Sequence, residues 1–101
     1  MGDRICLTFT DGDEEYSPTL YAHWDGMELL DVARAFWERT RGEIRAEPSN
    51  FMYNFIAFIS RGKIEDGNYY LYPSEDESCS PDDNGFWMMN TTNGKVYRSK
   101  H

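Results

Sequence analysis

Apolar and more polar residues alternate along the first quarter of the chain. Ile5, Leu7 and Phe9 occupy every second position, and this spacing predicts a half-buried strand over residues 5–10. Residues 19–24 alternate in the same way, which predicts a second strand with Trp24 on its core side. Because the connection between the two segments is short, the strands are expected to pair as an antiparallel hairpin.

The pattern changes to helical spacing after Trp24. Asp25 is a suitable N-cap residue, and Glu28 follows three positions later, as in a capping box. Apolar residues then recur every three or four positions as far as Trp37, which predicts one buried helix face. Since Gly42 is a suitable terminator, the sequence predicts a helix between Asp25 and Gly42.

A second apolar segment begins at Pro48, a residue that is well tolerated in the first turn of a helix. Between Phe51 and Ile59 the apolar residues crowd more than one face, which indicates a helix that is mostly buried. A buried strand over part of this segment is the alternative, but its length favours a helix that ends at Arg61-Gly62.

The last third of the chain has the composition of strands. Residues 68–72 are rich in tyrosine, residues 85–90 are aromatic and apolar, and residues 95–99 follow the hairpin signal Asn93-Gly94. The predicted element order is therefore ββααβββ, an α+β fold in which two helices pack on one face of an antiparallel sheet. With 101 residues and no segment typical of a linker, the chain is expected to form one domain, residues 1–101.

The chain is acidic, and its acids are unevenly distributed. Eighteen Asp and Glu residues against ten Lys and Arg give a formal net charge of -8, which disfavours direct nucleic-acid binding because phosphate contacts need a basic surface. Acidic runs usually serve solubility alone. The alternative is an acidic face that binds the basic surface of a partner protein. Its candidate residues lie in two loops: Asp11, Asp13, Glu14, Glu15, Glu75, Asp76, Glu77, Asp82 and Asp83.

The two cysteines do not suggest a disulfide framework. Cys6 lies in the first predicted strand and Cys79 lies in an acidic loop. A bridge between them is the alternative, but free thiols are expected because no signal peptide is recognisable and disulfides are rare in intracellular proteins. No segment reaches the ~20 apolar residues that span a bilayer. The chain is therefore expected to be a soluble cytoplasmic protein that does not bind membranes.

Residues for catalysis are few. His23 is the only internal histidine and so the one candidate general base of that type. No Gly-x-Ser-x-Gly elbow or phosphate-binding loop is present, and one internal His with two distant Cys cannot supply a zinc site. We expect no cofactor, no metal and no enzymatic activity, with packing as the default role of His23. A small enzyme centred on His23 and Asp25 is the alternative.

Four segments carry a resemblance to a known group of proteins. They are Met1-Gly2-Asp3-Arg4, Tyr21-Ala22-His23-Trp24-Asp25-Gly26, Pro48-Ser49 and residues 82–96. In these segments the chain resembles small uncharacterised proteins of phages, prophages and mobile elements. Those proteins begin with a Gly-Asn/Asp-Arg segment and carry a Tyr-x-His-Trp step between a strand and a helix. The likeness covers about two thirds of the chain and implies no catalytic residue.

The resemblance implies a function through its context. Small acidic phage proteins often bind and block a host protein, as anti-CRISPR proteins and restriction inhibitors do. The first functional hypothesis is therefore a non-enzymatic inhibitor, monomeric or dimeric, that acts in the host cytoplasm and binds a basic surface of a host protein through its acidic loops. The second hypothesis is a structural or assembly domain that self-associates through a sheet edge.

Overall fold

Seven elements follow one another in the predicted order ββααβββ. The structure, a computed structural model, describes residues 2–64, 66–73 and 83–99. The α+β class and the order of the elements are confirmed. The elements are β1 (Ile5–Thr10), β2 (Thr19–Ala22), α1 (Glu28–Thr40), α2 (Pro48–Ser60), β3 (Tyr69–Tyr72), β4 (Phe86–Asn90) and β5 (Val96–Arg98).

The five strands form one mixed sheet in the order β3-β2-β1-β4-β5. The two central strands, β1 and β4, are parallel, with Cys6 opposite Phe86 and Thr10 opposite Asn90. All other neighbouring strands are antiparallel, so the prediction of an antiparallel sheet is wrong for the central pair. Thirteen residues separate β3 from β4, and a connection of that length allows the chain to cross the sheet between parallel strands.

Both helices pack on one face of this sheet, as predicted. Phe9 of β1 meets Phe51 and Phe55 of α2 edge to face, at centroid distances of 4.8 and 5.5 Å. Phe36 of α1 lies 5.4 Å from Phe51 and stacks on Phe58 at 4.7 Å. Such pairs contribute about 0.5–1.5 kcal/mol each beyond the burial of their area. The core therefore relies on aromatic side chains, which compensates for the small number of Ile, Leu and Val residues.

The helix ends agree only in part with the sequence prediction. Helix α2 begins at Pro48 and ends where Arg61 adopts a left-handed conformation with φ 51°. Helix α1 begins at Glu28 without a side-chain hydrogen bond at its cap, so the predicted capping box of Asp25 and Glu28 is wrong. Among the described residues, neither helix combines the length and apolar character that crossing a membrane would require.

Cys6 contradicts the prediction of free thiols, because it forms a disulfide bond. Its side chain is fully buried in β1, on the sheet face opposite the helices. The only other cysteine of the sequence, Cys79, lies outside the described residues. The prediction failed because it was inferred from the expected compartment, whereas a disulfide depends on which distant segments the fold brings together.

Candidate functional site

The connection between β1 and β2 holds four of the predicted partner-binding residues, Asp11, Asp13, Glu14 and Glu15, which we call the acidic turn. Hydrogen bonds fix its shape. The hydroxyl group of Thr10 donates to the backbone carbonyl of Glu15 at 2.9 Å, and a carboxylate oxygen of Asp11 accepts the backbone N–H of Asp13 at 2.8 Å. The side chain of Asp11 therefore stabilises the turn itself.

The other three carboxylates of the acidic turn point to solvent. Asp13, Glu14 and Glu15 are exposed, and no salt bridge or side-chain hydrogen bond reaches their carboxylates from the residues that the structure describes. Tyr16 follows directly and is 51% exposed, while its backbone pairs with Thr10. The acidic turn thus presents three unpaired negative charges beside an exposed aromatic ring.

Asp83, which the sequence places in the second acidic loop, lies far from the acidic turn. It precedes β4, and the register pairs the start of β4 with Cys6 and its end with Thr10, so Asp83 and the acidic turn lie at opposite ends of the central strands. The backbone N–H and the Nε of Arg4 donate to one oxygen of Asp83 at 3.0 and 3.3 Å. These bonds lower the pKa of Asp83.

The acidic loops therefore do not converge where the structure describes them. The carboxylates of Asp13, Glu14 and Glu15 have no partner among the described residues, whereas the charge of Asp83 is matched by Arg4. The remaining predicted binding residues lie outside the described residues, so the structure gives no position for Glu75, Asp76, Glu77 and Asp82.

His23 lies beside β2 on the sheet face opposite the helices. Its Nδ1 shares a hydrogen bond of 2.8 Å with the hydroxyl group of Tyr21, and its ring packs edge-on against Trp24 at 4.5 Å. Partial burial raises the pKa of Tyr21. His23 thus contacts Tyr21 and Trp24. In residues 2–64, 66–73 and 83–99, no three His, Cys, Asp or Glu side chains form a group suited to a metal ion.

Asp25 forms hydrogen bonds with Tyr69 of β3 and with Asn68 just before it, and not with α1. The hydroxyl group of Tyr69 donates to one carboxylate oxygen at 2.6 Å, and the side-chain amide of Asn68 donates to the other at 3.3 Å. The amide oxygen of Asn68 in turn accepts the backbone N–H of Trp24 at 3.1 Å. Asp25 is therefore held in one position by groups more than forty residues away in the chain, and no local sequence signal could have identified them.

Trp24 is 57% exposed, so its predicted place in the core is wrong. The alternation that suggested it ends with β2 at Ala22. Gly26, with φ 61°, then donates its N–H to the carbonyl of Asp3 at 2.8 Å and turns the chain towards α1. Outside the strand, the side chain of Trp24 no longer follows the pleat of the sheet.

The exposed Trp24 borders a groove of about 320 Å³ between α1, α2 and β3. Side chains of both helices, among them Leu29, Phe58 and Ile59, supply its apolar lining. Its polar lining consists of Asp25, Glu28, Arg61 and Tyr69. A concave apolar surface with a few converging polar groups is the usual form of a small binding site, and the sequence analysis did not predict this one.

Comparisons with known proteins identified no match to this chain. Protein-family models, curated protein sequences and solved structures were each compared with the chain, and none of them matches it. The functional argument therefore rests on the residues and contacts given above.

Proposed function

We propose that this protein is a non-enzymatic binding protein that docks on the basic surface of a partner through the acidic turn. The observation that carries the proposal is the set of three exposed carboxylates, Asp13, Glu14 and Glu15, on a turn fixed by hydrogen bonds. A fixed turn loses little conformational entropy on binding, which favours affinity. The net charge of -8 steers a basic partner towards the protein over a longer range.

The resemblance to proteins of phages and mobile elements supports a host protein as the partner, and inhibition of that protein as the outcome. Anti-defence inhibitors such as anti-CRISPR proteins are the most concrete form of this proposal. Tyr16 is suited to anchor the contact, because exposed aromatic residues often carry much of the energy of an interface. Host cytoplasm is the proposed location, although the disulfide at Cys6 removes one argument that the sequence offered for it.

Affinity capture with matched variants tests the proposal. The immobilised protein is incubated with lysate of a bacterial host, and the captured proteins are quantified for wild type and for the triple variant D13N/E14Q/E15Q. The control is E38Q/E43Q/D66N, which makes the same change in net charge at three other exposed positions. We expect at least one basic protein to be lost by the turn variant and kept by the control.

Two outcomes would contradict the proposal. If both variants reduce capture equally, net charge rather than the acidic turn carries binding. If both variants capture as much as wild type at low salt and at raised salt, the acidic turn does not bind a partner. Low salt is included because contacts between exposed charges weaken as salt screens them.

A second candidate function is self-association through strand β3. This edge strand exposes Leu71 by 54% and Tyr70 by 48%, and Ile64 nearby in the sequence is 98% exposed. Exposed apolar side chains on an edge strand favour pairing with another strand. Light scattering decides this candidate: a monomeric mass at high protein concentration excludes it, and a dimer that Leu71→Lys dissociates supports it.

A further inference from the structure

The groove beside Trp24 differs from the acidic turn in being concave and partly apolar. Its lining includes one exposed aromatic residue, Trp24, and two acidic residues, Asp25 and Glu28. The ring face of tryptophan attracts cations, and it does so more strongly than that of tyrosine or phenylalanine. An aromatic wall beside two carboxylates is therefore complementary to an organic cation with an apolar stem.

Asp25 is prepared for such a ligand. Tyr69 and Asn68 hold its two oxygens at 2.6 and 3.3 Å from their donor atoms, so the carboxylate keeps its position before any ligand arrives. Each carboxylate oxygen can accept a further hydrogen bond. A ligand that donates to Asp25 therefore gains a positioned acceptor without the cost of ordering it.

Trp24 is available except where the ring of His23 packs against it at 4.5 Å. Within the described residues, its indole Nε1 has no hydrogen-bond partner, whereas Nε1 of Trp37 and Nε1 of Trp87 each donate to a backbone carbonyl at 2.7 Å. Arg39, Arg41 and Arg98 lie over other aromatic rings of this protein. No guanidinium of the described residues takes that position over Trp24.

We propose that this groove binds the arginine side chain of a partner protein. The planar guanidinium would lie against the indole of Trp24 and donate to Asp25, while its aliphatic stem contacts the apolar lining that includes Leu29. Arginine fits better than lysine because its planar fork both stacks on an aromatic ring and donates two parallel hydrogen bonds to a carboxylate. This inference rests on the proposed function only for the source of the arginine, which is a basic partner protein.

Two features of the groove oppose a cation, and they make the proposal testable. Arg61 lines the groove and forms no salt bridge within 4.0 Å with Asp25 or Glu28, so its charge weakens the binding of a second guanidinium. The positive end of the α1 dipole also lies there, but Glu28 and Asp31 in the first turn of α1 offset it. Removing Arg61 should therefore strengthen binding of arginine.

The experiment titrates the protein with N-acetyl-arginine amide, which carries a guanidinium and no carboxylate. The readout is the NMR signal of each tryptophan indole N–H, and Trp37 and Trp87 serve as internal references. We expect the Trp24 signal to shift as the compound binds. The dissociation constant should be on the order of millimolar, because a single side chain makes few contacts. N-acetyl-lysine amide should bind more weakly, and the neutral isostere N-acetyl-citrulline amide should leave the signal unchanged.

Variants then assign the contacts. Asp25→Asn should weaken binding by about fivefold, and Glu28→Gln, which touches no hydrogen bond of the fold, should weaken it by about twofold, the range of exposed ion pairs. Arg61→Asn should tighten binding by about twofold, because it removes the opposing positive charge. Asparagine is chosen because it tolerates the left-handed backbone at this position. The matched control is Lys63→Asn, which removes one exposed positive charge outside the groove.

Several results would overturn the proposal. Equal shifts at all three indoles, equal binding of the citrulline compound, or weaker binding after Arg61→Asn would each show that no specific guanidinium site exists here. The result is independent of the acidic turn, because the probe needs no partner protein. Loss of host-protein capture in D13N/E14Q/E15Q with no response at Trp24 would therefore confirm the proposed function and reject this groove.

Discussion

The phenolic hydroxyl group of Tyr69 donates a hydrogen bond of 2.6 Å to the carboxylate of Asp25. This bond joins the edge strand β3 to the chain segment that connects β2 with α1, across 44 residues of sequence. Asn68 strengthens the same connection through its bonds to Asp25 and to the backbone of His23 and Trp24. The position of Trp24 at the groove thus depends on β3 as much as on its own segment.

Replacing Tyr69 by Phe removes the hydroxyl group and leaves the ring. We expect the free energy of unfolding to fall by about 1–2 kcal/mol, because a hydrogen bond to a charged group is lost at a partly buried site. Urea denaturation measures the change. Tyr70→Phe on the same strand is the control, since the Tyr70 hydroxyl group has no hydrogen-bond partner among the described residues; an equal loss in both variants would contradict the assignment.

Gly94 is required in the hairpin between β4 and β5 for two reasons. Its φ is 75°, and a Cβ atom there would lie 2.5 Å from the Trp37 ring. We expect Gly94→Ala to reduce stability by about 2–4 kcal/mol through backbone strain and overpacking. Gly42→Ala isolates the backbone term, because Gly42 has φ 86° and nothing within 4 Å of its Cβ. Urea denaturation should show that Gly42→Ala loses about 1–2 kcal/mol of stability.

The ion pair of Arg4 and Asp83 makes stability depend on pH in the acid range. The folded state lowers the pKa of Asp83 below its ordinary 3.8, so the stabilisation is fully present above that value and is lost as pH falls through the lower pKa of the folded state. We expect Asp83→Asn to be less stable than wild type above about pH 5, with the difference shrinking below about pH 4. Thermal unfolding of wild type and Asp83→Asn across this pH range measures the difference in stability. A difference that persists unchanged at the lowest pH would contradict the ion pair.

The hydroxyl groups of Thr8 and Thr19 share a hydrogen bond of 2.6 Å inside the sheet, where both side chains are buried. Thr8→Val or Thr19→Val alone leaves one buried hydroxyl group without a partner, so each should cost about 1–3 kcal/mol. The double variant removes both hydroxyl groups and should cost less than the sum of the single variants. Urea denaturation of all four proteins tests this, and simple additivity would show that the bond carries no coupling energy.

Elements that depend on near neighbours were predictable from the sequence. The spacing of apolar residues located β1, β2 and both helices, and an aromatic composition located the last three strands. Pro48 marked the start of α2, and Asn93-Gly94 marked the last hairpin. The acidic turn was also recognisable, because its charges are adjacent in the sequence. These features follow from backbone preferences and side-chain periodicity over a few residues.

The candidate groove was not predictable in this way. Helical spacing and cap signals assigned Asp25 to α1, but the hydroxyl group of Tyr69 offered its carboxylate a stronger partner across the fold. Periodicity placed Trp24 in the core, although the strand that would direct it inward ends at Ala22. Neither outcome could be read from residues close by.

The sequence by itself determined the order of the elements, the apolar faces of β1 and α1, and the excess of negative charge. Only the tertiary structure decided that β1 and β4 run parallel, that Cys6 is paired, and that Arg4 neutralises Asp83. The physical reason is distance along the chain. Local patterns report the preferences of neighbouring residues, whereas strand direction, disulfide bonds and ion pairs depend on segments that meet only when the whole chain has folded.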